Sequence, residues 1–314
     1  MTVKPAAVRR RVKPRHHLRR ELPLHLMLLP GVVIVFIYMY IPLSGLIIAF
    51  EKFIPAKGLF GNQKWIGWDN FIYLYQLPGA ISALRNTVII AFWKIILHLL
   101  IPITVSILLN EIHSKRYRKC VQVLTTLPNF ISWVLVYAIA ICIFSTDGFI
   151  NSFLTNVMHV SGANTNYLQI ADHTWLKMLL WGTWKGVGWS AIVYIAGIAG
   201  IDQQLYEAAK VDGANRFRCI WHITIPGLIP TYMVMLLMSI AGILSNGMEQ
   251  YLVFSNAMNK DVIEVLDLYV YNIGIGQNRI SLSTVVGISK SLIGITLLFA
   301  ANGISKAIRG ESII

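Results

Sequence analysis

The sequence predicts an all-α integral membrane protein with six transmembrane helices, and three observations carry that expectation. Hydrophobic residues make up 56% of the 314-residue chain and mean hydropathy is +0.62, too apolar for a water-soluble core. Apolar runs close to the ~20 residues needed to cross a ~30 Å hydrocarbon layer recur at 24–50, 86–109, 121–144, 175–200, 228–247 and 281–304. The segments between these runs are alternately rich and poor in Lys and Arg, as the positive-inside rule requires of a multi-pass chain.

Residues 1–22 form a basic cytoplasmic tail containing RRRVKPRHHLRR. Such a tail sets topology or binds lipid headgroups, with a nucleic-acid arm as the alternative. The first apolar run is too long and wrongly flanked for a cleaved signal peptide, so it is expected to remain as an anchor. Residues 23–314 then read as one transmembrane domain, with no internal repeat or Pro/Ser-rich linker to divide it.

The basic residues assign the sides. The tail, then Lys115, Arg116, Arg118 and Lys119, then Lys210, Arg216 and Arg218, then Lys306 and Arg309 fall on one side. The alternate segments hold only Lys52, Lys57, Lys64, Lys260 and Arg279. Both termini and the segment after the fourth run are therefore expected in the cytoplasm, with 51–83, 145–174 and 248–280 outside. Topology thus accounts for the formal charge of +13 without a nucleic-acid partner.

Several chemistries find no support. Cys120, Cys142 and Cys219 lie at a cytoplasmic edge, inside a run and in a cytoplasmic loop, so none is placed for oxidised pairing. His16 and His17 are adjacent in the tail, and no Cys-x-x-Cys or His-Glu-x-x-His spacing occurs, so no metal site is expected. No catalytic constellation is visible. A phosphate-cradling G-x-x-x-x-G-K-[ST] loop is absent, so any ATP must be held and cleaved by another subunit.

The most informative segment is the charged block EAAKVDGANRFRCIWHITIP, Glu207 to Pro226, set between two apolar runs within a cytoplasmic loop at 201–227. Gln203 to Asp212 suits a short helix, Gly213 permits a sharp turn, and Ala214 to His222 suits a second helix that Pro226 is expected to end. Ala208 and Ala209 allow close approach of a partner, and Glu207 can form a charge-assisted hydrogen bond with a partner's Arg or Lys. Phe217, Ile220 and Trp221 place an apolar stripe on the second helix. Taken without the spacing described next, an amphipathic connector lying in the membrane interface is the favoured explanation of that stripe.

The spacing Glu207-Ala208-Ala209, three residues including Asp212, Gly213, nine residues, Ile223, one residue, Ile225-Pro226 resembles the signature loop of ATP-binding-cassette importer permeases. The position before the proline, usually Leu, is Ile225 here. The runs LMLLPGVVIVFIYMYIPLSGLIIAF, LLNEIHSKRYRKCVQVLTTLPNFISWV and NGMEQYLVFSNAMNKDVIEVLDLYVYNIG are similar to the polysaccharide-fragment branch of the maltose-type carbohydrate permeases, so the likeness covers nearly everything after residue 22. The resemblance implies the type I importer permease fold in a bacterial cytoplasmic membrane. It implies as partners a second homologous permease, two ATPase subunits carrying ATP and Mg, an extracytoplasmic solute-binding protein and an oligosaccharide, with no cofactor on this chain itself. Glu207, Ala208, Ala209, Asp212, Gly213, Phe217 and Trp221 are then the ATPase-coupling residues.

The resemblance also implies where sugar would be met: Gly182, Gly186 and Trp189 on the fourth span, with Asn246 and Glu249 on the fifth. Trp189 offers a flat apolar face to a pyranose ring, and Asn246 and Glu249 offer hydroxyl acceptors. The plainer alternatives are close helix packing at Gly182 and Gly186 and a core position for Trp189.

Lys94, Lys185 and Lys290 each lie about nine residues from the outer end of their run, midway across at ~1.5 Å per residue. With no Asp or Glu expected at that depth, they suggest a cationic zone along the pathway, which His98 can join from the face of Lys94. Snorkelling to an interface is the alternative for any one of them. A cationic route favours an acidic, uronate-type oligosaccharide, of the alginate or pectin kind. An ion-coupled secondary transporter is the competing class, but inverted repeats and intramembrane acids, its usual marks, are not evident.

Overall fold

The computed structural model describes residues 14–59, 61–160 and 165–309. Most of the basic tail, the part before Pro14, lies outside the described residues.

The first helix, α1 (Pro14–Val35), continues through a π-helical turn at Phe36–Tyr40 and a 3-10 stretch at Ile41–Phe50. The interruptions coincide with Pro42 at the start of the 3-10 stretch, since proline cannot donate to the ladder. The span Leu22–Phe50 stands largely apart from the rest of the chain. A short antiparallel hairpin, β1 (Glu51–Lys52) with β2 (Lys64–Trp65), caps its far end. Phe50 stacks there on Trp65 at 5.7 Å and meets Trp68 edge-on at 5.3 Å. Helix α2 (Asp69–Gln76) leads to the long second span, α3 (Pro78–Glu111).

The expected third span at 121–144 is broken. Helix α4 (Lys115–Thr126) ends in a 3-10 turn at Leu127–Phe130, and α5 (Trp133–Phe144) starts afresh with the Ser132 hydroxyl accepting from the Leu135 amide at 3.4 Å. The cause is local. Pro128 lacks an amide and Ser132 is a good N-cap, so an apolar run that hydropathy reads as continuous becomes two helices. The membrane-length segment is instead Trp133–Asn156, completed by α6 (Phe149–Asn156).

The fourth span, α7 (Thr174–Ala199), bends by 68° into α8 (Gln203–Val211). Helix α9 (Arg216–Cys219) does not end before the fifth span as the sequence suggested. It passes through a π-turn at Ile220–Thr224 directly into α10 (Ile225–Ala241). The Ile225 amide donates to Ile220 O, five residues back. That extra residue per turn accommodates Pro226 without a break.

After Gly242 the chain does not remain outside the bundle. Helices α11 (Glu249–Phe254), α12 (Lys260–Ile263) and α13 (Leu266–Tyr271) and a π-turn at Asn272–Gly276 fold back onto it before the sixth span, α14 (Ile280–Arg309). Their apolar residues supply much of the core: Tyr251, Phe254, Ile263, Val265 and Leu268 pack with Ile90, Val136 and Met178. Leu266 and Tyr269 join Ala83 and Val285 in a second cluster. Asn86 ties the segment down, donating to Asp261 O at 2.9 Å and to Glu264 O at 3.1 Å. A third cluster, Tyr194, Ile198 and Leu228, joins α7 to α10.

Candidate functional site

The charged loop folds as two helices joined at a tight turn. Asp202 caps α8, its carboxylate accepting from the Gln204 amide at 2.9 Å. At the other end Gly213, with φ of +74°, closes the helix: its amide donates to Lys210 O at 3.1 Å, and the Ala214 amide donates to Ala209 O at 2.8 Å. This is a glycine-closed C-terminus, a conformation costly for a residue with a Cβ. Asn215 then caps α9 by accepting from the Arg218 amide at 2.9 Å. Tyr206 Oη lies 2.9 Å from Thr224 Oγ1, joining α8 to the π-turn. Arg216 Nη2 lies 3.0 Å from His113 Nε2, joining α9 to the segment between the second span and α4.

Glu207, Ala208 and Asp212 are exposed on this loop, while Ala209 turns inward. With Ala214, Arg218 and Cys219 it lines a hollow of about 350 Å³ between the two helices. Of the expected apolar stripe, Phe217 and Trp221 are 82% and 70% exposed, and Val211, which the stripe argument missed, is 89% exposed. These exposed apolar side chains on a polar loop fit either a partner subunit or the membrane interface. Asp202 and Tyr206 also escaped the sequence reading, although Asp before a helix is a readable capping signal.

The sugar candidates divide between two places. Asn246 and Glu249 do not lie on the fifth span, which stops at Gly242. They occupy the irregular segment after it and the first position of α11. Asn246 is buried and donates to Thr87 O at 3.1 Å, while Glu249 is exposed. Gly182 and Gly186 face His98 across α3: a Cβ at either would lie 3.8 and 3.9 Å from the imidazole. The glycine that packs tightly is Gly188, where a Cβ would come within 2.1 Å of Thr125 O. Buried Gln250, next to Glu249, was missed; it donates to Met178 O at 2.7 Å and reaches the face of Gly182. Trp189 is half exposed and meets Phe130 edge-on at 5.9 Å.

The three lysines have different surroundings. Lys290 is ion-paired with Asp267, which corrects the expectation that no carboxylate sits at its level. The acid arrives because α13 folds back into the bundle instead of standing outside it. Lys185 donates to Asn129 O at 2.7 Å and Pro128 O at 3.3 Å, and lies 5.5 Å from the Trp133 ring centroid. It thereby closes carbonyls left open by the break after α4. Lys94 donates to Asn246 O at 3.3 Å and lines, with His98, Ser239, Ser245 and Asn246, a cavity of about 250 Å³. Among the described residues no carboxylate lines that cavity, although the Asp267 charge reaches Lys94. Among the described residues no cluster suited to a metal ion occurs.

Comparison with known proteins agrees with this architecture. Residues 99–310 match the family described as binding-protein-dependent transport system inner membrane component. The chain is 37% identical over 297 residues to protein LplB of Bacillus subtilis (strain 168), covering 94% of this chain and 92% of that one. It is 36% identical over 292 residues to the polygalacturonan/rhamnogalacturonan transport system permease protein YteP of the same organism, covering 92% of this chain and 89% of that one. Among solved structures, a bacterial alginate ABC transporter in complex with alginate pentasaccharide-bound periplasmic protein is similar, with a TM-score of 0.85 and 29% identity, covering 96% of this chain and 100% of that chain. A multi-pass bundle, a capped two-helix loop with exposed apolar side chains, and these likenesses lead to one assignment: the chain belongs to the binding-protein-dependent transport system inner membrane components, the permease family of ABC importers.

Proposed function

We propose that this permease admits acidic oligosaccharides, fragments of uronate polysaccharides, through an ATP-driven importer in the bacterial cytoplasmic membrane. The observation that carries the reading is the polar cavity in which Lys94 and His98 face Ser239, Ser245 and Asn246 without a carboxylate on its lining. A cation in a low-dielectric site attracts a sugar carboxylate more strongly than it would in water, although stripping both groups of water limits the gain. The relatives point the same way: one is named for polygalacturonan and rhamnogalacturonan, and another solved likeness imports the acidic polysaccharide alginate.

In this reading the chain works with a second homologous permease, two ATPase subunits that hold ATP and Mg, and an extracytoplasmic solute-binding protein. It performs no catalysis itself. The exposed loop carrying Glu207, Phe217 and Trp221 receives the ATPase, whose closure turns the bundle from inward-facing to outward-facing. Both termini then lie in the cytoplasm.

The test is ATPase stimulation and uptake in the reconstituted complex over matched acidic and neutral oligosaccharides. Lys94→Met is expected to reduce kcat/KM for the acidic series by about tenfold or more while changing the neutral series by less than about twofold. Equal losses on both series, or a wild-type complex that moves only neutral sugars, would remove the acidic assignment.

A further inference from the structure

Lys290 and Asp267 form the ion pair described above, and the other oxygen of Asp267 makes a second contact with a different part of the chain. Asp267 Oδ2 accepts from the Gly247 amide at 2.9 Å. Gly247 has φ of +85° and sits in the irregular stretch where α10 has ended and α11 has not begun. Its neighbour Asn246 donates to Thr87 O at 3.1 Å and accepts from Lys94 at 3.3 Å. One residue before Asp267, the Leu266 amide donates to Thr87 Oγ1 at 2.7 Å. Two short segments of α3 and α13 therefore grip the break from both sides, and Lys290 holds the Asp267 carboxylate from α14.

An irregular stretch within a membrane bundle is tolerated only where its polar groups are satisfied by protein or water. Asp267 satisfies one of them, the amide of a residue that must keep a left-handed backbone. Without that acceptor the stretch gains freedom, and Asn246 O, which orients Lys94, gains it too. We propose that Asp267 is a positioning residue for the pathway: with Lys290 as counter-ion, it fixes the Gly242–Met248 break so that Asn246 and Lys94 face the cavity. This rests on the importer reading above and assigns Lys290 the counter-ion's part rather than contact with substrate.

A single Asp267→Ala variant leaves Lys290 unpaired and can fail to fold. The informative protein is the double variant Asp267→Ala/Lys290→Met, which removes both charges, measured beside Asp267→Asn/Lys290→Met, which removes both charges but keeps a side-chain oxygen to accept from the Gly247 amide. Hydrogen exchange on the assembled complex in nanodiscs reads the break directly. The Asp267→Ala/Lys290→Met variant is expected to accelerate exchange in peptides spanning Gly242–Met248 by about tenfold, with α7 peptides unchanged. It is also expected to raise KM for the transported oligosaccharide about tenfold at a maximal rate within about twofold of wild type, and Asp267→Asn/Lys290→Met to do less.

Unchanged exchange at the break, faster exchange with unchanged KM, or equal effects of Asp267→Asn/Lys290→Met and Asp267→Ala/Lys290→Met would each overturn the proposal. If the wild-type complex moves no oligosaccharide, the importer reading fails by that result alone. The exchange measurement still reads the tether in that case.

Discussion

Lys185 Nζ sits 2.7 Å from the carbonyl oxygen of Asn129, so a lysine of the fourth span closes the broken end of a helix 56 residues earlier in the chain. Burial of unpartnered carbonyls costs about 1–3 kcal/mol, and Lys185→Met would expose that cost without offering a replacement donor. The variant is expected to lower the thermal midpoint of the detergent-solubilised protein by several degrees. Lys185→Arg, which keeps donors at that place, should recover most of the loss in the same melting experiment. A Met variant as stable as wild type would show that the carbonyls find other partners.

Two glycines of the same helix should differ sharply in their tolerance of alanine. At Gly188 a Cβ would meet Thr125 O at 2.1 Å, while at Gly186 the nearest atom is a His98 carbon at 3.9 Å. Backbone atoms cannot yield as a flexible side chain does, so Gly188→Ala is expected to cost on the order of 1–3 kcal/mol and to reduce the yield of folded protein. Gly186→Ala should be near neutral for folding. Size-exclusion profiles of the purified variants provide the comparison.

The docking role proposed for the exposed loop makes a third prediction. Trp221→Ala and Phe217→Ala remove large exposed aromatic side chains, and anchors of this kind carry about 1–3 kcal/mol or more of binding energy at interfaces. Each is expected to weaken capture of the ATPase subunits about tenfold in a pull-down titration with purified partner, with membrane insertion unchanged. Glu207→Ala should weaken capture or substrate-stimulated ATPase as well, by removing a charge-assisted contact. Normal assembly and uptake in all three would place the ATPase elsewhere.

Sidedness can be read with cysteines. After replacement of Cys120, Cys142 and Cys219, a single cysteine at Lys115 and another at Asn62 should differ in labelling by a membrane-impermeant reagent added outside intact cells. The expectation is modification at 62 and none at 115, because the basic residues around 115 favour the cytoplasmic face. The reverse pattern would invert the topology.

What the sequence disclosed and what it withheld follow a physical division. The two helices and turn of the Glu207–Pro226 loop were legible because a turn-permitting glycine and a polar interruption of apolar runs are local signals, whereas the Asp202 cap and the continuation through Pro226 were missed. The break at Leu127–Ser132 was hidden because hydropathy averages over a window and Pro128 alone hardly lowers it. The refolding of Glu249–Gly276 was hidden because short helices joined by turns carry too few residues for a clear period. Misplacing that segment concealed the partner of Lys290, since the Asp267 contact depends on packing rather than pattern. Trp189, Gly182 and Gly186 were singled out through likeness to a family; Gln250, which reaches Gly182, was missed, and the approach of His98 to both glycines became visible only once the helices were assembled.

The helical course from Arg216 to Ala241 runs 26 residues without a chain break, roughly 39 Å at ~1.5 Å per residue. A rod of that length converts a tilt of about 5° at its Arg216 end into a displacement of about 3 Å at its far end, a gain set by geometry alone. The π-turn at Ile220–Thr224, with Pro226 and Pro230 just beyond it, is then where the rod can bend. Its stiffness fixes how much of each stroke reaches the Gly242 end and how much is lost as bending.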